Sequence, residues 1–207
     1  MFPDPRTLPG DEPFARGANY EAHVLLDAYR HGIFPWPVDD EVYWWSPDPR
    51  AIIPLDGLRV SRSLRRTMAR SGFECTADRA FDAVMDACAA ARDSETWITA
   101  DYRHGYRRLH QLGAAHSVEV WQEGELVGGL YGVTIGAVFT GESMFHRVSD
   151  ASKVALVALR DRMMDRGFRL LDAQLPTAHL ESLGAVAVPR AHFLDALARL
   201  VDVPAAF

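Results

Sequence analysis

Leu126-Val127-Gly128-Gly129-Leu130-Tyr131-Gly132-Val133-Thr134-Ile135-Gly136-Ala137-Val138-Phe139-Thr140-Gly141 runs without a charge and then meets Glu142. A membrane-spanning helix needs about 18 or more apolar residues. This run is shorter and carries five glycines, so it reads as strands. A turn at Ile135-Gly136 divides it. Upstream, Val118 and Val120 precede a Glu123-Gly124 turn and add a further strand, which makes an antiparallel meander.

Downstream of the meander, Ser149 or Asp150 caps a long amphipathic helix with Val154, Leu156, Val157, Leu159 and Met163, ended by Gly167. A strand from Phe168 to Ala173 follows. Then come a short helix from Thr177, an edge strand Val186-Ala187-Val188 halted by Pro189, and a closing helix to about Leu200. Upstream, Ser61 starts a helix that Gly72 ends. Asp78 caps a second, with Phe81, Val84, Met85, Cys88 and Ala89 on its face. Thr99 caps a third, with Tyr102, Tyr106 and Leu109, closed by Gly113. Helices, then a meander, then helix and strand define an α+β class with a mixed sheet.

The N-terminal part differs in character. Residues 1–18 are rich in proline, glycine and charge and read as a surface arm. Ala22, Leu25, Leu26 and Tyr29 recur at helical spacing, with Gly32 at the end. Ile33-Phe34-Pro35-Trp36-Pro37 and Tyr43-Trp44-Trp45-Ser46-Pro47-Asp48-Pro49-Arg50 hold three of the five tryptophans among four prolines. They read as rigid loops, neither helix interior nor central strand. A small N-terminal domain, residues 1–50, and a second domain, residues 51–207, are expected.

Composition bounds the function. The 207 residues are 48% hydrophobic and 24% charged, with a net charge of −6, which excludes disorder and collagen-like repeats. Cys75 and Cys88 have no CxxC or His-rich spacing, so neither a disulfide framework nor a zinc site is signalled, and both read as buried thiols. The prolines and acid near Met1 do not make a signal peptide, so a cytoplasmic protein is expected. Of the 22 basic residues only Lys153 is lysine.

Three constellations bear chemistry. Glu142 closes an uncharged run, and such a carboxylate needs a partner: either an internal arginine or a cationic ligand. In Asp172-Ala173-Gln174, strand alternation places an acid and an amide on one face, suited to orienting an amine. Arg59, Arg62, Arg65, Arg66 and Arg70 form a basic run with no acid between residues 57 and 73, while residues 39–56 hold five acids and a lone Arg50. Helical spacing puts Arg62, Arg65, Arg66 and Arg70 largely on one side, which favours a polyanion. Among the histidines, His146 and His179 are candidates for a site or for an ordinary surface role.

Six separated strings carry a resemblance: Gly32-Ile33-Phe34-Pro35-Trp36, Trp44-Trp45-Ser46-Pro47-Asp48-Pro49-Arg50, Thr96-Trp97-Ile98-Thr99, Gly128-Gly129-Leu130-Tyr131-Gly132, Gly141-Glu142-Ser143-Met144-Phe145 and Asp172-Ala173-Gln174. In this order, from about Leu25 to Val201, the chain resembles the leucyl/phenylalanyl-tRNA-protein transferases. The resemblance implies a GNAT-like acyltransferase domain after the small N-terminal one, and neither metal nor cofactor. It also implies transfer of Leu or Phe from aminoacyl-tRNA to proteins beginning with Arg or Lys, for N-degron proteolysis. Met is a further candidate donor, no membrane is involved, and a monomer is the default.

The same resemblance assigns residues. Asp172, Gln174 and Glu142 would be catalytic. Gln174 would accept a hydrogen bond from the attacking amine, Asp172 would orient the Gln174 amide, and Glu142 would hold cationic or hydroxyl groups. Tyr29, Trp36 and Trp97 would stack on the terminal adenosine. Tyr106, Leu130, Phe139, Met144 and Leu156 would line the cavity for the Leu or Phe side chain. Arg62, Arg65, Arg66 and Arg70 would hold tRNA phosphates. The chain departs from the family at Arg16-Gly17-Ala18-Asn19-Tyr20, at Leu175-Pro176-Thr177, and in stopping early at Phe207. Two other readings remain open: a non-catalytic tRNA-binding or N-terminal-residue-reading protein, and a coenzyme-A-dependent N-acetyltransferase. Against the latter, His146-Arg147-Val148-Ser149-Asp150-Ala151 has an acid and no glycine where a pyrophosphate loop would lie.

Overall fold

The structure, a computed structural model, describes residues 2–8, 12–17, 19–38, 41–91 and 96–207. Asp39 and Asp40 of the acidic stretch, and Ala18, lie outside the described residues. A 3-10 turn (Pro5–Thr7) and strand β1 (Ala15–Arg16) precede α1 (Ala22–Arg30), β2 (Phe34–Val38), β3 (Glu41–Trp45) and β4 (Arg50–Ile53). Next come α2 (Arg62–Arg70), β5 (Glu74–Ala77), α3 (Phe81–Ala90), α4 (Ala100–Gln111), β6 (Ala115–Gln122), β7 (Glu125–Ile135) and β8 (Val138–His146). The chain then forms α5 (Ala151–Asp165), β9 (Leu170–Gln174), α6 (Ala178–Ser182), β10 (Val186–Val188) and α7 (Arg190–Leu200).

Two sheets result, β1-β3-β2 and the seven-stranded β10-β4-β9-β8-β7-β6-β5. The larger one is mixed: β8 and β9 are parallel, and its other pairs are antiparallel. The α+β class with a mixed, largely antiparallel sheet is therefore as the sequence indicates.

The uncharged run folds as β7 and β8 because both of its faces are covered, the condition for a strand without polar alternation. Along β7, Tyr131 and Val133 enter a core shared with α1, α3 and α4, while Leu130 enters the opposite core beneath α5. Glycines allow the close layers. A Cβ on Gly128 would fall 2.6 Å from the Cβ of Ala151 at the start of α5, and one on Gly132 would fall 2.2 Å from the Thr140 carbonyl oxygen.

Several local expectations are corrected. Tyr43-Trp44-Trp45 is no loop: it lies in the central strand of the three-stranded sheet. The prolines do not prevent this, because Pro35 and Pro37 occupy the edge strand β2 and Pro47 and Pro49 fall beyond the end of β3. Strand β5 was not foreseen, and Cys75 is exposed on it. Asp78 does not cap α3; its carboxylate accepts the Ser117 N–H at 2.9 Å and pairs with His116, tying the α3 entry to β6. Asp150 occupies the N-cap position of α5 with a left-handed φ of 67° but makes no side-chain cap. Its carboxylate instead takes Lys153 at 2.7 Å and Thr67 of α2 at 3.3 Å. Ser61, Thr99 and Thr177 do cap their helices.

The feature that positions the site is where β8 and β9 separate. Their pairing covers Val138↔Leu170, Phe139↔Leu171 and Thr140↔Asp172 and then stops, although β8 continues to His146 and β9 to Gln174. Glu142 and Gln174 are the next polar residues along the two parted ends.

Candidate active site

A cavity of about 420 Å3 opens at this parting, and Glu142, Asp172 and Gln174 all line it. The three predicted catalytic residues are thus brought together.

Among the described residues Glu142 meets no arginine. Its Oε1 accepts hydrogen bonds from the hydroxyl of Tyr29 at 2.7 Å and from Gln174 Nε2 at 2.8 Å, and its Oε2 from Tyr102 at 2.9 Å and Tyr106 at 3.2 Å. Tyr29 and Tyr106 also bond to one another, and Tyr131 donates to Tyr102 at 3.4 Å. Burial pushes the Glu142 carboxyl up to about 7, against the three tyrosyl hydroxyls that pull it down; nearby Asp172 adds to the rise. Burial, with the Glu142 charge beside them, also holds Tyr29, Tyr102 and Tyr106 well above the ordinary phenol range.

The arginine goes to Asp172 instead. Arg50 Nε donates to Oδ1 at 2.8 Å and Nη2 to Oδ2 at 2.6 Å, while Thr140 donates to Oδ2 at 3.1 Å. Asp172 Oδ1 also accepts the backbone N–H of Gln174 at 3.0 Å. This corrects the sequence expectation twice. Asp172 holds the Gln174 backbone rather than its amide, and Gln174 adopts a left-handed φ of 62°, which breaks the simple alternation that would put residues 172 and 174 on one face. The Gln174 amide is oriented by Glu142: with Nε2 committed there, its carbonyl oxygen is the end left for a ligand.

The apolar wall is partly as expected. Leu130, Met144 and Leu156 line the cavity, joined by Ile53, Leu159 and Leu171. Tyr106 and Phe139 do not. Tyr106 is fully buried, stacked on Tyr102 at 4.0 Å, and Phe139 packs in the core against Phe207 at 5.6 Å. Trp36 and Trp97 line the cavity and stack on each other at 4.7 Å. Tyr29 is not part of this aromatic wall; it is 3% exposed, and its hydroxyl belongs to the Glu142 cluster.

Sequence reasoning left Arg50, Tyr102 and Thr140 without site roles. Arg50 had a signal, as the only base among five acids. Tyr102 was read only as helix-face packing, and nothing local marks Thr140.

Away from the cavity, α2 presents Arg62, Arg65, Arg66 and Arg70 exposed, with Leu64 the residue it buries. None of the four arginines makes an ion pair among the described residues.

Comparison with known proteins places this geometry. The profile of the family described as "Leucyl/phenylalanyl-tRNA protein transferase" matches residues 52–198, and that of its N-terminal domain matches residues 18–48. A leucyl/phenylalanyl-tRNA--protein transferase of Stutzerimonas stutzeri (strain A1501) is 51% identical over 195 residues, 93% of this chain and 86% of that protein. One from Thiobacillus denitrificans (strain ATCC 25259 / T1) is 52% identical over 193 residues, 92% of this chain and 85% of that protein. Among solved structures, a ribosomal-protein-alanine N-acetyltransferase from Brucella melitensis biovar Abortus 2308 has 17% identity and a TM-score of 0.44, over 56% of this chain and 94% of that one. Site and relatives together define a transferase of aminoacyl groups. The chain belongs to the leucyl/phenylalanyl-tRNA protein transferase family.

Proposed function

We propose that the protein transfers Leu or Phe from aminoacyl-tRNA to the N-terminal α-amino group of proteins beginning with Arg or Lys, forming a peptide bond and marking them for N-degron proteolysis. The observation that carries the reading is the Gln174–Glu142 contact of 2.8 Å across the parted strands, directly over the apolar cavity.

An aminoacyl ester is already activated, so bringing an amine to it in good geometry supplies about 7–11 kcal/mol of the barrier. An α-amino group, with a pKa of about 7.7–8.0, is partly neutral near pH 7. The Gln174 carbonyl oxygen accepts a hydrogen bond from this amine and aims its lone pair. Asp172 acts as a positioning residue through the Gln174 N–H, and Glu142 fixes the amide and faces the polar groups of the substrates. Leu130, Met144 and Leu156 hold the donor side chain, and Trp36 and Trp97 hold the terminal adenosine. Arg62, Arg65, Arg66 and Arg70 grip the tRNA backbone without reading bases. Met is a further donor candidate.

This reading divides the chain into a small N-terminal domain, residues 1–50, and a GNAT-like catalytic domain, residues 51–207, acting as a monomer in the cytoplasm. Among the described residues no helix is long and apolar enough to cross a membrane. The test is transfer of labelled Leu from Leu-tRNA to peptides that differ in their first residue. Labelling of Arg- and Lys-starting peptides is expected; tRNA binding without labelling would overturn the reading.

A further inference from the structure

We infer that the Glu142 carboxyl and the hydroxyls of Tyr29 and Tyr106 form a ring that accepts the proton released by the attacking amine. The inference rests on the aminoacyl-transfer reading and adds the step that reading leaves unassigned, since an amide oxygen is too weak a base to take a proton.

Proton counting carries the argument. Four oxygen–oxygen contacts tie the cluster together: Tyr29 to Glu142, Tyr106 to Glu142, Tyr102 to Glu142, and Tyr29 to Tyr106. The three tyrosines bring three protons. With an ionised carboxylate, one contact holds no hydrogen. A proton on Oε2 completes all four: Oε2–H donates to Tyr106, Tyr106 to Tyr29, and Tyr29 back to Oε1, while Tyr102 continues to donate to Oε2. The cluster is built to hold one proton more than its tyrosines supply, and buried polar networks gain most when every contact is filled.

The surroundings exclude the nearest alternative. Asp172, the other acid lining the cavity, is engaged by Arg50, Thr140 and the Gln174 N–H. Glu142 is faced by Tyr29 from α1, Tyr102 and Tyr106 from α4, and Asp172 and Gln174 from β9. Tyr131 reaches it through Tyr102, and His179 lines the same cavity from an exposed position on α6. Burial, set against the three tyrosyl donors, leaves the carboxyl near neutrality, where it exchanges a proton with an amine at little cost.

The step balances without a co-reactant. The amine nitrogen bonds to the ester carbonyl carbon, and the adduct passes one N–H proton to Glu142. The carbon–oxygen bond to the ribose then breaks, and its electron pair stays on the ribose oxygen. That oxygen takes a proton, and Glu142 returns to carboxylate.

Infrared spectra of the wild type and Glu142→Gln, titrated through neutral pH, read the proton directly. Single-turnover transfer from Leu-tRNA to an Arg-starting peptide reads its use. Expected are a protonated-carboxyl band that titrates near neutrality and is missing in Glu142→Gln, and peptide-bond formation about 100-fold slower in that variant with Leu-tRNA affinity retained. Tyr102→Phe removes a donor that favours the anion, so its rate should rise only at higher pH and recover there. Absence of the band, or wild-type rates in Glu142→Gln, would overturn the inference while leaving aminoacyl transfer intact. A wild type that forms no peptide bond would instead remove the transfer reading, and the amine step with it.

Discussion

Arg50 and Asp172 form a two-pronged ion pair, Nε to Oδ1 at 2.8 Å and Nη2 to Oδ2 at 2.6 Å, with each side chain only 1% exposed. The third nitrogen of Arg50 donates to the Gly32 carbonyl at 3.1 Å, and the guanidinium lies 4.9 Å and 4.5 Å from the Phe34 and Phe193 ring centroids. One residue therefore links the end of α1, strand β2, strand β9 and α7. With its charge matched and its oxygens engaged, Asp172 serves to hold Gln174.

Arg50→Met should strand a buried carboxylate and lower unfolding stability by about 3–5 kcal/mol, read as a shift in the urea midpoint. Arg50→Met combined with Asp172→Leu should regain much of that stability, since apolar replacement of both partners relieves the stranded charge. Transfer should stay lost in the double variant, because without the Asp172 carboxylate Gln174 keeps no anchor for its left-handed backbone.

Glu142 predicts a pH dependence of stability. Its folded-state value, about 7, lies above the unfolded one of about 4.3, so the folded state binds the extra proton. Its stabilising contribution is fully present below about pH 4.3 and is lost as pH rises through about 7. Relative to Glu142→Gln, the wild type should lose on the order of 4 kcal/mol across that window. Urea melts of the two proteins at a series of pH values check this; parallel curves would contradict it.

For the basic helix, affinity for tRNA should fall steeply with added salt. Each of Arg62→Ala, Arg65→Ala, Arg66→Ala and Arg70→Ala that removes a phosphate contact should reduce the salt slope by about 1. Filter binding at several salt concentrations gives the slopes.

Trp97→Ala removes one ring of the Trp36–Trp97 pair and should weaken Leu-tRNA binding by about 1–3 kcal/mol, the value of a base–aromatic stack. Leu156→Ala enlarges the cavity and should shift the Leu-to-Phe ratio of transfer toward Phe; comparison of kcat/KM for the two donors measures it.

Much of the architecture was legible because it rests on periodicity. The uncharged run could only be covered strands, and the caps at Ser61, Thr99 and Thr177 act locally through their own hydroxyls. Glu142, Asp172 and Gln174 were legible for a different reason: polar residues at the ends of apolar strands need partners. What those partners are was not. Arg50 and Asp172 are 122 residues apart, and Tyr29 and Glu142 are 113 apart, separations that no local pattern encodes. The resemblance also misplaced Tyr106 and Phe139, since an aromatic residue on a buried helix or strand face matches alike whether it lines a cavity or the core behind it. Tyr43-Trp44-Trp45 misled because proline density was averaged over a segment whose strand holds none.

The most direct measurement is the single-turnover rate of Leu transfer from Leu-tRNA to an Arg-starting peptide by Gln174→Ala, with Leu-tRNA affinity measured alongside. The account predicts a rate reduced by about 100-fold or more at unchanged affinity, as for loss of a preorganised hydrogen-bonding group in an active site. Near wild-type transfer by Gln174→Ala would contradict it.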